Sequence, residues 1–389
     1  MKEGYRLLGD FIRQVDVRNT DGKEENLLGV SVQKLFIPSI ANTVGTDFTK
    51  YKVVKRGQFT YIPDTSRRGD KIGIALLTDY DEGLVSNIYT VFEVKDENEL
   101  LPEYLMLWFS RPEFDRYARF KSHGSVREIM DWDEMCKVEL PVPSIDKQRS
   151  IVKAYQAITE RIELKRRIND NLDATAQAVF QEQFASFYGA DELPDGYRII
   201  NLDNLCTVKG GKRLPADCKL LDTPTDHPYI RVRDVGSNRY VCLTNQFQYI
   251  DEETYSAISR YIVNTGDIVI SIVGTIGLLG KIHSSLDKAN LTENCVKLAN
   301  IHTVTSDYLY YTLCYKKQIK EIDLLTVGAV QAKLPMYNIQ SMKILVPPTK
   351  AIEAFQRKMN VLNEQIEANT VEIQKLYELE EVLLAKLSD

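Results

Sequence analysis

The sequence predicts an α+β protein built from two tandem, mixed β-rich globular blocks, each followed by a long α-helix. Three observations predict it. Two long segments place apolar residues at alternating three- and four-residue steps, the seam period of a helix that needs a partner helix. Each of these segments follows a block of short strand-like runs broken by turn residues. The rear of the first block also matches the rear of the second at one constant offset. The predicted division is a block at 1–143, a helix at 144–190, a block at 191–347 and a helix at 348–389.

The first helical segment, Ser144 to Phe187, contains neither Gly nor Pro. Its seam runs through Ile151, Tyr155, Ile158, Ile162, Leu172, Ala176 and Val179, with a polar gap in the middle. About 40 residues at 1.5 Å each make a rod of roughly 60 Å, which suits a spacer better than the interior of one compact domain. Its partner is the segment from Thr349 to Leu387. There the seam runs through Ile352, Phe355, Met359, Leu362, Ile366, Ile373, Leu376, Leu383 and Leu387, interrupted by Asn369 and Glu380. Lys165 and Asn369 break the two seams at matching positions of the repeat. They read as a polar layer that fixes register, against the plainer reading of a locally solvated seam.

The 389 residues suffice for two or three domains, and 44% hydrophobic with 27% charged residues is an ordinary soluble composition. No run is long and apolar enough to span a membrane, and MKEGYRLLGDFIRQ has no apolar signal core. Six scattered cysteines argue against disulfides and for a reducing cytoplasm. The net charge of −6 is unlike that of a protein that simply coats nucleic acid. Any DNA reading therefore rests on local basic loops or on a partner that supplies positive charge.

In the first block, strands are expected at Leu27–Val32, Tyr51–Val54, Gln58–Ile62, Ile72–Thr78 and Ile88–Val94. A helix is expected at Leu101–Phe120 with Pro102 in its first turn, then the basic loop KSHGSVRE and the run VELPVP. In the second, strands are expected at Tyr197–Val208, Tyr229–Val235, Ile262–Val273, Leu278–His283 and Cys295–Leu298. A helix at Ser306–Ile322, the loop TVGAVQAKLP and the run MKILVPP follow. In the repeat Tyr104-Leu105 falls on Tyr308-Leu309, Gly124 and Val126 on Gly328 and Val330, and Val142-Pro143 on Val346-Pro347. Towards the front the offset drifts, with Asn87 facing Asn294 and Gly57 facing Gly266. The diverged front is where two different things would be read, and the shared rear is scaffold.

A search for chemistry comes back empty. GTIGLLGKI, from Gly274, resembles a phosphate loop, but it is one residue too long and Lys281 is followed by Ile282 rather than Ser or Thr. A glycine turn between strands is the plainer reading. The four histidines lack metal-site spacing, and no nucleophile elbow is present. Basic and polar residues do gather around glycines in both blocks. They are Arg67 and Arg68; Lys121, Ser122 and Arg127; Lys209, Lys212 and Arg213; Arg231 and Arg233; and Gln331 and Lys333. Ordinary surface charge explains any one of them. Their recurrence in both halves favours contacts with base edges and phosphates.

The ordered set LPDGYRIINLDNLCTVKGGK, GTIG, LTENCVKL and GAVQAKLPMYNIQSMKILVPP followed by a heptad helix resembles the specificity subunit of type I restriction–modification systems. FTYIPDTSRRGDKIG, GLVSNIYTVFEV and ELPVPSIDKQRSIVKAY are the first-half counterparts, and the likeness covers essentially the whole chain. It implies two target-recognition domains, each reading one part of a split double-stranded DNA site, with the long helices paired as an antiparallel coiled coil whose length sets the unread gap. It adds Asn87, Tyr89, Thr275 and Asn294 to the DNA-binding candidates. It implies two methyltransferase subunits that bring S-adenosylmethionine and methylate a flipped adenine. Two restriction subunits that use ATP with Mg2+ can join. The chain itself would hold no cofactor or metal, catalyse nothing and meet no membrane. The competing reading is a coiled-coil scaffold that never touches DNA. Arg67, Arg68, Lys212, Arg233 and Lys333 gathered on one side would favour DNA, whereas mixed, solvated charge would favour the scaffold. A nucleotide-handling enzyme built on GTIG comes third, and predicts bound nucleotide in the purified chain.

Overall fold

The computed structural model describes residues 4–39, 45–64, 71–122, 128–236, 239–244, 247–328 and 332–388. The chain packs as two compact units. One is Met1–Ile162 with Leu376–Asp389, and the other is Glu163–Lys375.

The first unit begins with strands β1 (Tyr5–Leu7), β2 (Ile12–Val15), β3 (Leu28–Val30), β4 (Phe36–Pro38), β5 (Lys52–Lys55), β6 (Phe59–Tyr61), β7 (Ile74–Leu76), β8 (Glu82–Val85) and β9 (Thr90–Val94). Helices α1 (Pro102–Phe109), α2 (Pro112–Lys121) and α3 (Trp132–Cys136) follow, then β10 (Glu139–Pro141) and the long helix α4 (Ile145–Phe184). The central sheet is antiparallel in the order β2-β9-β6-β7, with β3-β4, β5-β8 and β1-β10 as separate pairs. Phe59 stacks on Phe92 at 4.8 Å, and Phe109 of α1 meets Phe59 edge-on at 5.8 Å, which closes the core between sheet and helices. Leu387, from the other end of the chain, is buried in the same core.

The second unit holds β11 (Arg198–Asn201), β12 (Thr207–Gly210), β13 (Pro228–Ile230), β14 (Tyr240–Val241), β15 (Gln248–Tyr249), α5 (Glu252–Ala257), β16 (Ile268–Ser271), β17 (Leu279–Ile282), β18 (Asn290–Leu291) and β19 (Cys295–Ala299). Then come α6 (Ser306–Leu313), α7 (Lys316–Leu325), α8 (Met336–Ser341), β20 (Lys343–Val346) and α9 (Thr349–Ala385). Its main sheet runs β12-β19-β16-β17-β14, beside a three-stranded sheet β15-β13-β18 and the pair β11-β20. The first four strands repeat the order of the first unit's sheet.

The repeat extends to individual bonds. At the 204-residue offset that carries Tyr104 onto Tyr308, the Tyr104 hydroxyl donates to the Pro141 carbonyl (3.1 Å) and the Tyr308 hydroxyl to the Leu345 carbonyl (2.7 Å). Ser122 donates to the Ala118 carbonyl and Thr326 to that of Ile322. The drifting front keeps its pairing too. Gly57 and Gly266 both have φ above +80° and donate to Leu77 and Ile282 carbonyls, each at 2.9 Å. A side chain there would be strained, so glycine serves both turns.

Several expected elements divide. Leu101–Phe120 is two helices, because Pro112 disfavours helical backbone at Arg111, which is extended (φ −73°, ψ 141°). Ser306–Ile322 breaks at the same repeat position without a proline. Tyr315 is extended there and its ring packs on Tyr188 and Phe180 at 5.2 and 6.2 Å. Tyr197–Val208 becomes β11 and β12, which enter different sheets across a tight turn at Leu202–Asn204. In Ile262–Val273 and Tyr229–Val235 only Ile268–Ser271 and Pro228–Ile230 pair as strands.

All of the expected seam residues of α4 and α9 are buried or half-buried. At the end of α4, however, Ala176, Phe180 and Phe184 are the fully buried positions, and Val179 lies beside them. Both polar interruptions of α9 find partners. Within the first unit the Tyr155 hydroxyl donates to Glu380 (2.6 Å). Within the second, Lys165 Nζ reaches Asn369 Oδ1 and Glu372 (2.9 Å each), and the buried Asn369 donates to Asn169 (2.8 Å). Phe180 and Phe184 meet Phe355 at 6.0 and 5.6 Å whereas Lys165 meets Asn369, so the two helical segments of this unit run in opposite directions.

One buried cluster joins sheet, helix α6 and helix α9. Asp307 accepts hydrogen bonds from Arg239 and Lys281, from Gln356 (2.7 Å) and from Asn363 (2.8 Å). Burial alone would raise its carboxyl pKa, but the Lys281 and Arg239 cations and the amide donors outweigh that and hold it well below the usual range. The same burial pulls the Lys281 ammonium down, opposed by the facing Asp307 carboxylate. Because the folded carboxyl titrates below its unfolded value, its contribution is complete above about pH 4 and disappears as pH falls towards the depressed value. Asp307→Asn leaves buried cations uncompensated and is expected to cost about 3–5 kcal/mol at neutral pH. Denaturant titration at pH 7 and pH 3 checks both statements, because the gap between wild type and variant should shrink at the lower pH.

Candidate nucleic-acid interface

The second unit gathers several loops at one end of its main sheet. Ser271, the last residue of β16, lies opposite Cys295, the first of β19, and Gly210 at the end of β12 lies opposite Val296. The turn from Ile272 to Leu278 joins β16 to its antiparallel neighbour β17, with Gly274 and Gly277 at φ +84° and +81°. Ser271 Oγ donates to the Thr275 carbonyl (2.6 Å) and accepts from the Leu278 N–H (2.9 Å), which tightens the turn. No helix follows it, so the phosphate-loop geometry is absent and the glycine-turn reading holds.

Other segments are tied to this turn by backbone bonds. The Ile272 N–H donates to Asn294 (2.8 Å), and the Leu334 N–H donates to Ile272 (3.0 Å). Val327 and Lys333 exchange two bonds of 2.8 Å, and Lys333 bridges to Val273. A Cβ on Gly236 would stand 2.8 Å from Leu278, so the segment after β13 also reaches the turn. Gly211 has no room for a side chain. An added Cβ would lie 2.1 and 2.3 Å from the Thr292 and Leu291 carbonyl oxygens. Its N–H donates to Cys295 (3.0 Å) and that of Lys212 to Leu291 (2.8 Å).

Lys212, Arg213, Arg233, Thr275 and Lys333 are exposed at this end, and Asn294 is half-buried. Lys212 Nζ stands 5.8 Å from the Tyr261 ring. Arg213 pairs with Glu293 at 2.7 Å. Burial would raise the Glu293 carboxyl, but the Arg213 hydrogen bond and a backbone donor bring it below its usual value. Arg233 lies 3.8 Å from Asp234. Lys209 projects outward from β12 opposite Lys297, whose own Nζ is bound to the Ile262 carbonyl (2.6 Å). Arg231 departs from the expected outward role. Its half-buried guanidinium donates to both oxygens of Asp234 (2.9 and 3.0 Å) and to Gln248, which fixes the turn that Arg233 rides on.

The first unit builds its corresponding end in the same way. The Met130 N–H donates to Pro63 (3.0 Å) and Ile129 bridges to Asp64, the repeat positions of the Leu334 and Lys333 contacts. Arg67, Arg68 and Arg127, like Gln331 in the second unit, lie outside the described residues. Asn87 is exposed in the turn before β9, as Asn294 precedes β19. Two candidates are held against the fold. The Tyr89 ring packs against the cluster of Leu28, Val54, Val85 and Val91. Ser122 is buried, with its hydroxyl 2.6 Å from the Ala118 carbonyl at the end of α2. Lys121, beside it, is half-buried with Nζ 5.9 Å from the Tyr117 and Phe120 rings. Arg18 and Lys52 lie opposite each other beyond the end of β2, and both face Asp16 (3.0 and 3.9 Å). Lys52 donates to the Tyr89 carbonyl (2.8 Å), and burial lowers its pKa. Among the described residues, no cluster of three or more His, Cys, Asp or Glu could hold a metal, and no helix is long and apolar enough to cross a membrane.

The family described as type I restriction modification DNA specificity domain matches twice, over residues 12–174 and 194–382. The chain belongs to the type I restriction–modification specificity family. It is a non-catalytic specificity subunit with two tandem specificity domains. It is similar to the type I restriction enzyme HindI specificity subunit of Haemophilus influenzae, at 21% identity over 98% of this chain and 97% of that protein. The MjaIX specificity subunit of Methanocaldococcus jannaschii is 22% identical over 74% of this chain and 68% of its own length. The solved type I system S subunit from M. genitalium shares the fold, with a TM-score of 0.51, 15% identity and 99% and 96% coverage.

In this specificity subunit, Gly211→Ala forces the Lys212–Arg213 segment away from the sheet end. It should lower stability by roughly 1–3 kcal/mol, as overpacking does, and, if this end meets DNA, alter the affinity for duplex. Lys212→Ala should leave the thermal midpoint unchanged while weakening DNA binding. Thermal melts alongside duplex-binding titrations separate the two effects.

Proposed function

We propose that this specificity subunit reads a split, asymmetric DNA site with one unit per half-site, and that the two long helices form the antiparallel coiled coil that sets the gap. The observation that carries this reading is the repeated sheet end. Both units present loops from one end of a sheet of the same strand order, held by matching backbone bonds but furnished with different side chains. The second offers Lys212, Arg213, Arg233, Thr275, Asn294 and Lys333. The first carries Asn87 there, with Arg67, Arg68 and Arg127 in the corresponding stretches of sequence. A common frame with changed contacts is what reading two different half-sites requires, since phosphate contacts position a protein and base contacts specify. In the second unit, Lys212, Arg233 and Lys333 at one end favour DNA over the scaffold reading.

Opposite-running contacts and the Lys165–Asn369 layer support the coiled-coil spacer. On this reading residues 1–143 and 191–347 are the target-recognition domains, and 144–190 and 348–389 the spacer. Two methyltransferase subunits carry S-adenosylmethionine to an adenine in each half-site, and two restriction subunits bring ATP and Mg2+. Those partners supply the positive charge that a chain of net charge −6 lacks. Six free cysteines fit a reducing cytoplasm.

The deciding experiment maps methylated adenines in cells carrying the methyltransferase partner, with and without this gene. A gapped motif that appears only with the gene supports the reading, and no change with active partner and expressed chain overturns it. Lengthening both helices by one turn, about 5.4 Å, should widen the gap and leave the half-sites intact. Changed half-sites would rule out the spacer role.

A further inference from the structure

Helix α9 carries a second line of contacts beside its apolar seam. Gln356, Asn363, Glu367 and Gln374 are spaced by seven, four and seven residues. At about 3.6 residues per turn they share one face of the helix, along roughly 27 Å of its length. All four are half-buried, and each meets the globular part of the second unit. The Gln356 and Asn363 amides donate to the Asp307 carboxylate at 2.7 and 2.8 Å. Glu367 stands 2.9 Å from Nε2 of the buried His283. Gln374 donates to the Leu243 carbonyl at 3.1 Å.

The partners of this face are tied to the β17–β14 edge of the main sheet. Lys281 on β17 and Arg239, just before β14, hold Asp307. The His283 N–H donates to Val241 of β14, and the Leu243 N–H to the Ser285 hydroxyl, each at 3.0 Å. The face is particular to the second unit. The positions 204 residues earlier, on α4, hold Val152, Thr159, Glu163 and Asp170. Val152 packs on the first unit's apolar core, Thr159 donates to Gln156 of its own helix, and Glu163 pairs with Arg167 four residues on. Asp170 is exposed. The repeated frame therefore does not itself require four polar residues here. Apolar burial is non-directional, whereas a hydrogen bond weakens steeply once misaligned. A seam alone tolerates small slides and rotations of the sheet on the helix, and a row of amide bonds beside it resists them.

We propose that Gln356, Asn363, Glu367 and Gln374 are positioning residues that hold the second reading domain at one angle to the spacer helix, and so set how strictly the gap between half-sites is measured. This rests on the reading of the long helices as a DNA spacer. The test measures duplex binding by the assembled complex with the methyltransferase partner. The duplexes carry the mapped motif, the motif with its gap one base pair longer or shorter, the motif with one base changed in a half-site, or a scrambled sequence. Gln374→Ala, which leaves the buried Asp307 cluster intact, should lower the preference for the native gap. Adding Gln356→Leu should bring the loss to about tenfold, the worth of one or two hydrogen bonds. The preference for the native bases should stay. Val269→Ala, a core change on β16, should lower the thermal midpoint and leave the gap preference as it was. A wild-type complex that does not distinguish motif from scrambled duplex overturns the DNA reading itself. A wild type that accepts its half-sites at any gap overturns the spacer reading. A strict wild type whose variants stay equally strict overturns this proposal alone. So does a loss of base preference in step with gap preference, or an equal loss in Val269→Ala, because either marks a general effect of stability.

Discussion

A buried tyrosine hydroxyl organises each unit. Tyr104 and Tyr308 stand on the first helix after the sheet and donate to the carbonyl of the strand that precedes the long helix. Burial raises both phenols, Tyr104 to about 12, so they remain donors across the physiological range. The accepting strands pair with the opening strands of their units, Tyr5 with Pro141 and Ile199 with Leu345. The bond therefore connects the start of each unit, its helical layer and the root of its long helix. An unpaired phenol or carbonyl there would carry the full cost of burial, so the arrangement strongly resists drift.

Around that shared frame the two units stabilise their fronts differently. The first buries Lys34 against Asp115 at 2.6 Å, and Asp115 also accepts the Ile72 N–H, which fixes the chain entering β7. The second uses the Asp307 cluster, which reaches Lys281 on β17 and two amides on α9. These pairs do not occupy matching repeat positions. Buried charge has been placed independently in two fronts whose loops differ, while the backbone bonds of the sheet end stay the same.

That contrast separates the side chains of the sheet end from the bonds that fold it. The turn before β19, the glycine turn after β16 and the Val327–Lys333 pairing are held by main-chain bonds, with the Ser271 hydroxyl tightening the glycine turn. Their outward side chains carry little of the fold. Positions such as Gly211 and Arg231, which are packed or fully bonded, couple the surface of this sheet end to stability.

The sequence by itself determined the two long helices, because a three-and-four spacing over many turns has no other low-energy solution. It determined the repeat behind them, and the polar pairing of Lys165 with Asn369 followed from one offset. It also located the basic glycine loops. It could not show that Phe180 and Phe184, not Val179, fill the core at the end of α4, since neighbouring helix positions differ only by packing. Nor could it show that Tyr315 breaks a helix without proline, or that Tyr89, Ser122 and Arg231 serve the fold. Such roles depend on which groups strand pairing and helix packing bring together across long sequence separations, and only the tertiary structure decides that.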